Sequence, residues 1–139
     1  MPCPLTEQIS DPDGRPTVEF MNRKKILIFD DDKATLEVVC IICTDIGYEV
    51  ETAETVDGII ERIDHFEPDL IMMDINIPTI GGLSATALIR SHSSYSGIPV
   101  IFITAKNDVA TLSQMAHADG YLAKPFDIEA LEGLVSKLI

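Results

Sequence analysis

Five short apolar runs punctuate the chain: Ile26-Leu27-Ile28-Phe29, Tyr48 to Ala53, Asp69 to Asp74 (DLIMMD), Ile98 to Ile103 (IPVIFI) and Tyr121-Leu122-Ala123. The first, third and fourth are almost continuously apolar, the pattern of strands covered on both faces. The second alternates, as a strand at a sheet edge does. Between the runs the apolar period lengthens to that of amphipathic helices, over residues 33–46 up to Gly47, 55–65, 83–92 and 109–118. A last helix recurs through Ile128, Leu131, Leu134, Val135 and Leu138. Strict alternation of five strands and five helices predicts an α/β domain: a five-stranded parallel sheet with right-handed crossovers and helices on both faces, a doubly wound three-layer sandwich.

Residues 1–21 interrupt that pattern. They carry Pro2, Pro4, Pro12 and Pro16 without apolar periodicity and are expected to form a flexible extension ahead of a domain at 22–139. With 139 residues and 46% hydrophobic content, the chain suffices for one buried core. The formal charge of -13 argues against direct nucleic-acid binding, because a phosphate backbone would repel it, and favours protein partners or a bound cation. No apolar run reaches membrane-spanning length and no basic-then-apolar leader opens the sequence, so a soluble, cytoplasmic protein with no membrane contact is expected. Cys40-Ile41-Ile42-Cys43 has redox spacing but lies in mid-helix, without the helix N-terminus or cations that activate such pairs; buried structural cysteines are expected. His65, His92 and His117 fall on helix ends or surfaces and lack zinc-site spacing.

A parallel sheet gathers the C-terminal ends of its strands along one edge, where open α/β folds hold ligands. Asp30, Asp31, Asp74, Thr104 and Lys124 all follow apolar runs and should converge there. Three adjacent carboxylates repel one another, so they protonate or hold a cation, and a hard, oxygen-seeking ion such as Mg²⁺ suits them. Asp74, alone at its strand end, is the candidate nucleophile toward a phosphoryl group; the Thr104 hydroxyl and the Lys124 ammonium can take up its oxygens. Pro125 biases Lys124 toward an extended conformation and raises the chance of a cis bond, either of which fixes where the ammonium points. Each residue also has a structural reading: Asp32 as a helix cap, Thr104 as a turn residue, Lys124-Pro125 as surface punctuation. Their joint placement on four strand ends favours the chemical one.

On the segments ILIFDDD, DLIMMDINIP, IPVIFITA and GYLAKPF, the chain from Lys24 to Ile139 resembles the receiver domain of bacterial two-component response regulators. The resemblance implies a flavodoxin-like sheet of strand order 2-1-3-4-5. It implies that Asp74 accepts a phosphoryl group from a phosphohistidine on a sensor histidine kinase or histidine phosphotransfer protein. Asp30, Asp31 and Asp74, with the backbone carbonyl of Asn76, would hold Mg²⁺. Thr104 and Tyr121 would form a switch pair, the hydroxyl moving to the phosphoryl oxygen while the ring turns inward and reshapes the face of the fourth helix, fifth strand and fifth helix. The chain departs from the family pattern in a short segment between Thr104 and Lys124 with His117 where glycine is frequent, so a short or irregular fourth helix is expected. Gly81 stands where a polar residue is more common, and Asn76 and Lys106 occupy positions that influence the lifetime of the phosphoryl group.

No output domain follows the last helix in this sequence, so action through an unidentified downstream protein is expected, as a monomer or weak homodimer. The first helix carries two apolar stripes, Val38, Val39, Ile42 and Ile46 on one and Leu36, Cys40 and Cys43 on the other. Leu36 and Cys40 are candidates for partner contact; a broad core-facing surface is the alternative. A Mg²⁺-dependent aspartyl-phosphate phosphohydrolase is the alternative function, but haloacid-dehalogenase-like phosphatases use a second Asp two residues after the nucleophile, and Asn76 cannot do that proton chemistry. A scaffold that is never phosphorylated is a third reading, against which the intact set of acidic, hydroxyl and ammonium groups stands.

Overall fold

In the computed structural model, which describes residues 23–75, 77, 81–104, 118–124 and 127–139, five strands pair in one sheet. They are β1 (Lys25–Phe29), β2 (Glu49–Ala53), β3 (Leu70–Asp74), β4 (Val100–Thr104) and β5 (Gly120–Ala123). Every pairing is parallel and the order is β2-β1-β3-β4-β5, as the sequence and its resemblance led us to expect.

Alternation along the central strands makes two cores from one sheet. Ile26, Ile28, Leu70, Met72, Ile101 and Ile103 face one side, where α1 (Lys33–Asp45) and α4 (Ile128–Leu138) cover them with Leu36, Val39, Cys40, Cys43, Leu131 and Val135. Leu27, Phe29, Ile71, Met73, Val100 and Phe102 face the other, under α2 (Ile59–Phe66) and α3 (Gly81–Ser91) with Ile59, Ile63, Ala85 and Ile89. Fully burying an aliphatic or aromatic side chain of this size contributes about 1.5–3 kcal/mol relative to exposure, so these two faces dominate the stability. The edge strand β2 buries only Val50 and Ala53 fully, which explains its alternating sequence.

Several boundaries shift for identifiable reasons. The second helix begins at Ile59 rather than residue 55. Thr55 Oγ1 accepts the Asp57 N–H at 3.3 Å, Val56 drops into the core, and Gly58 turns the chain through φ 65° at the N-cap. β4 begins after Pro99, which has no N–H to give but whose carbonyl accepts from Ile71 N at 2.9 Å. Residues 109–117 of the helix expected at 109–118 lie outside the described residues, as does the extension at 1–21; Ala118, which is described, is not helical. Among the described residues, no helix is long and apolar enough to cross a membrane.

On α1 the broad core-facing reading holds. Leu36 and Cys40 are buried beside Val39 and Cys43, on the i, i+3, i+4, i+7 stripe that meets the sheet, whereas Val38 and Ile41 are half exposed. Leu36 and Cys40 are therefore not available as a partner surface. Cys43 is a free thiol, and burial, with a smaller contribution from the charge of Glu132, pushes its pKa up to about 12. It stays protonated and inert at neutral pH.

Candidate functional site

Register fixes the site before any side chain is considered. Phe29 lies opposite Ala53 and Met73, Asp74 opposite Ile103, and Thr104 opposite Ala123. The strands therefore stop nearly in line, and Asp30, Asp74, Thr104 and Lys124 fall along one edge of the sheet.

Asp30 leaves β1 fully buried, its N–H donating to Ala53 O at 3.0 Å. Its Oδ1 accepts the Asp32 N–H at 2.9 Å, so the bend after β1 is tied to its own carboxylate. Asp32 then caps α1: its Oδ1 accepts from Ala34 N at 3.1 Å and its Oδ2 from the Thr35 hydroxyl at 2.8 Å. The hydrogen bonds from Thr35 and then Ala34, helped by the charge of Lys124, hold the Asp32 carboxyl below its ordinary pKa. Asp32 thus spends its oxygens on the helix, which leaves Asp31 exposed and facing the cleft.

Asp30, Asp31 and Asp74 each present a carboxylate oxygen to the same small volume, all within 4.8 Å of one another. Asp30 and Asp74 are buried and Asp31 is exposed. Lys124, just past β5, brings its Nζ to 2.8 Å from Asp30 Oδ2. That approach is an ion pair without the alignment of a hydrogen bond, so Asp30 Oδ2 stays buried with hydrogen-bonding capacity unmet. Partial burial disfavours the Lys124 ammonium, but the contact with Asp30 and the charges of Asp30, Asp74 and Asp32 outweigh it, and its pKa sits above the ordinary value. One ammonium does not neutralise three carboxylates. A donor set of hard oxygens with a buried, incompletely satisfied carboxylate atom fits a divalent cation such as Mg²⁺.

The sequence-predicted residues divide accordingly. Asp30, Asp31, Asp74 and Lys124 come together. The backbone of Thr104 ends β4 on the same edge. Tyr121, on β5 opposite Phe102, is 47% exposed, so its ring is not packed into the core. Asn76, Lys106, His117 and Pro125 lie outside the described residues. Two features had no signal in the sequence: the pairing of Lys124 with Asp30, which depends on how β1 and β5 are set across the two intervening strands β3 and β4, and the place of Gly82 beneath Asp74.

A family model described as the response regulator receiver domain matches residues 26–136. The chain belongs to that family. The receiver is 36% identical over 119 residues to the DNA-binding dual master transcriptional regulator RpaA of Synechocystis, a match covering 83% of this chain and 48% of that protein. It is 33% identical over 119 residues to the CAI-1 autoinducer sensor kinase/phosphatase CqsS of Vibrio cholerae, covering 84% and 17%. It therefore spans about half or less of the length of these curated relatives. Among solved structures, a response regulator of Chloroflexus aurantiacus superposes with a TM-score of 0.80 at 28% identity, covering 84% of this chain and 98% of that one. The receiver domain of a Pseudomonas aeruginosa sensor histidine kinase, solved with a magnesium ion coordinated in its active-site cleft, gives 0.75 at 27% identity, covering 84% and 97%. The receiver is thus a module of two-component signalling.

Proposed function

We propose that this receiver, the domain at residues 22–139, is a phosphorylation-driven switch. Asp74 accepts a phosphoryl group from a phosphohistidine on a sensor histidine kinase or histidine phosphotransfer protein, and the modified domain acts on a downstream protein. The observation that carries this reading is the convergence of Asp30, Asp31 and Asp74 with Lys124 at their rim.

Asp30, Asp31 and Asp74, with the Asn76 carbonyl, would hold Mg²⁺, which supplies positive charge against the phosphoryl oxygens when bound. An Asp74 carboxylate oxygen attacks phosphorus as the bond to the donor imidazole breaks, and the imidazole leaves with the bonding pair. Burial of Asp74 keeps water from competing for that position and lets the charges around it act in a low-dielectric pocket. Lys124 pairs with Asp30 beforehand, is held cationic, and is positioned to take up an oxygen of the arriving group. The Thr104 hydroxyl would take another, and the exposed ring of Tyr121 is free to move inward as the readout.

Relatives that are named as a sensor kinase/phosphatase and as a transcriptional regulator support a place in a histidine-to-aspartate relay. The net charge of -13 favours a protein target over direct contact with DNA. A cytoplasmic location and a monomeric or weakly dimeric state complete the proposal.

Incubation with Mg²⁺ and acetyl phosphate, followed by intact mass, tests it. One labile phosphoryl adduct, absent in Asp74→Asn, is expected. An adduct that persists in Asp74→Asn, or sustained hydrolysis of the donor through many turnovers, would replace the switch with another reading.

A further inference from the structure

The first turn of α3 rests directly on the peptide that follows Asp74. A Cβ added at Gly82 would lie 2.4 Å from Asp74 O, 2.8 Å from Ile75 Cα and 3.0 Å from Asp74 C. Among the described glycines, Gly82 alone would drive an added Cβ into main-chain atoms this closely. The backbone of Ile75 is held from two more directions. Ile75 N donates to Ile103 O at 3.0 Å, which ties it to β4, and Gly82 N donates to Ile75 O at 2.8 Å, which ties it to α3. Ile77 N closes the bend on Asp74 O at 3.3 Å.

Gly81 and Gly82 have different tasks. Gly81 sits at φ +80° and supplies a backbone turn; its added Cβ would meet Ile75 O at 3.6 Å, an ordinary van der Waals contact that displaces nothing. Gly82 has no positive φ and is required by proximity alone.

From this we infer that Gly82 is a positioning residue for Asp74: the missing side chain lets helix α3 seat against the Asp74–Ile75 peptide and fix where the Asp74 carboxylate stands among Asp30, Asp31 and Lys124. The inference rests on the reading of Asp74 as the phosphoacceptor and adds a residue that never touches the phosphoryl group. Real Cβ atoms essentially never come within 3.0 Å of such neighbours, so an alanine must displace the peptide by roughly half an ångström, the limit within which a reacting constellation keeps its geometry. A misplacement of about 1 Å costs on the order of 10²-fold in rate.

The test compares Gly82→Ala with Gly81→Ala in the full chain. Both are destabilising, the second through its left-handed backbone, but only the first moves the Asp74 peptide. Two readouts are followed: the rate of adduct formation with acetyl phosphate by intact mass, and the Mg²⁺ concentration at the midpoint of metal-induced thermal stabilisation. With a displacement of about half an ångström, Gly82→Ala should form the adduct roughly tenfold more slowly and shift the Mg²⁺ midpoint upward by a similar factor, while Gly81→Ala stays near wild type in both. Wild-type behaviour of Gly82→Ala overturns the inference. So do losses in the two variants that simply follow their unfolding midpoints. If Gly82→Ala is unfolded in buffer, the comparison is made in a stabilising osmolyte, and failure to fold there overturns the inference by making the glycine a requirement of the fold. A wild-type chain that forms no adduct sinks the phosphoacceptor reading instead, and the Mg²⁺ midpoints still decide whether Gly82 sets the geometry of the cluster.

Discussion

Lys124 shows how a single side chain can serve both the fold and the site. Its ammonium is the charge partner of a fully buried carboxylate, so Lys124→Met leaves Asp30 facing Asp31 and Asp74 without compensation. An unmatched buried polar group costs about 1–3 kcal/mol and a charged one more, so a loss of unfolding free energy of at least that size, read as a lower urea midpoint, is expected at pH 7 without Mg²⁺. The pH dependence has a definite sign. The folded Lys124 pKa lies above its ordinary value of 10.5, so its contribution is complete below that pH and fades as pH rises through the folded value. The midpoints of wild type and Lys124→Met should therefore converge only in that alkaline range; a gap already closed at pH 8 would show that the ion pair adds nothing. In the sequence, the place of Lys124 after a strand points to the phosphoryl oxygens. Its partnership with Asp30 was invisible there, because the two residues are far apart in the chain and meet only through the pairing of β1, β3, β4 and β5.

At the scale of elements, α1 joins the site to the core. Asp32 caps it while its neighbours Asp30 and Asp31 turn into the cleft, so one acidic triplet performs two jobs separated by a single bend. Asp32→Ala should lower the stability of the fold while leaving the Mg²⁺ midpoint nearly unchanged, since the capping oxygens are already committed to Thr35 and Ala34. Because the Asp32 carboxyl is held below its ordinary value of 3.8, the difference between variant and wild type should persist above that pH and vanish as pH falls through the folded value. A large change in the Mg²⁺ midpoint would instead make Asp32 a metal ligand. The cap was legible in the sequence, as a polar residue ahead of an apolar period. Which face of α1 is buried was not. Two stripes of similar apolarity shared the helix, and the register of the helix against the sheet chose Leu36, Val39, Cys40 and Cys43. The start of α2 was missed for a related reason: Val56 is apolar at helical spacing but is buried through the turn that Gly58 completes.

For the whole molecule, the acidic cluster sets a conflict between folding and function. Closing the sheet forces three carboxylates within 4.8 Å, a repulsion that a bound divalent cation would relieve. Mg²⁺ should therefore raise the thermal midpoint, with a stabilisation of about 2.7 kcal/mol at a free concentration one hundred times its dissociation constant. Chelation should reverse the shift, and Asp31→Asn should weaken it while making the metal-free protein more stable. Equal thermal midpoints with and without Mg²⁺ would remove the metal from the proposal.

The sequence by itself determined the alternation of strands and helices, the parallel sheet, and the convergence of Asp30, Asp31, Asp74, Thr104 and Lys124 on one edge. Those follow from local periodicity and from the rule that parallel strands end together, and neither requires knowing a distance. Tertiary structure alone decided which stripe of α1 faces the sheet, that Lys124 stands against Asp30, and that Gly82 must lack a side chain because the Asp74 carbonyl occupies its place. Each of these depends on contacts between segments remote in the chain, where the register of one element on another, and not the order of residues within either, fixes which atoms meet.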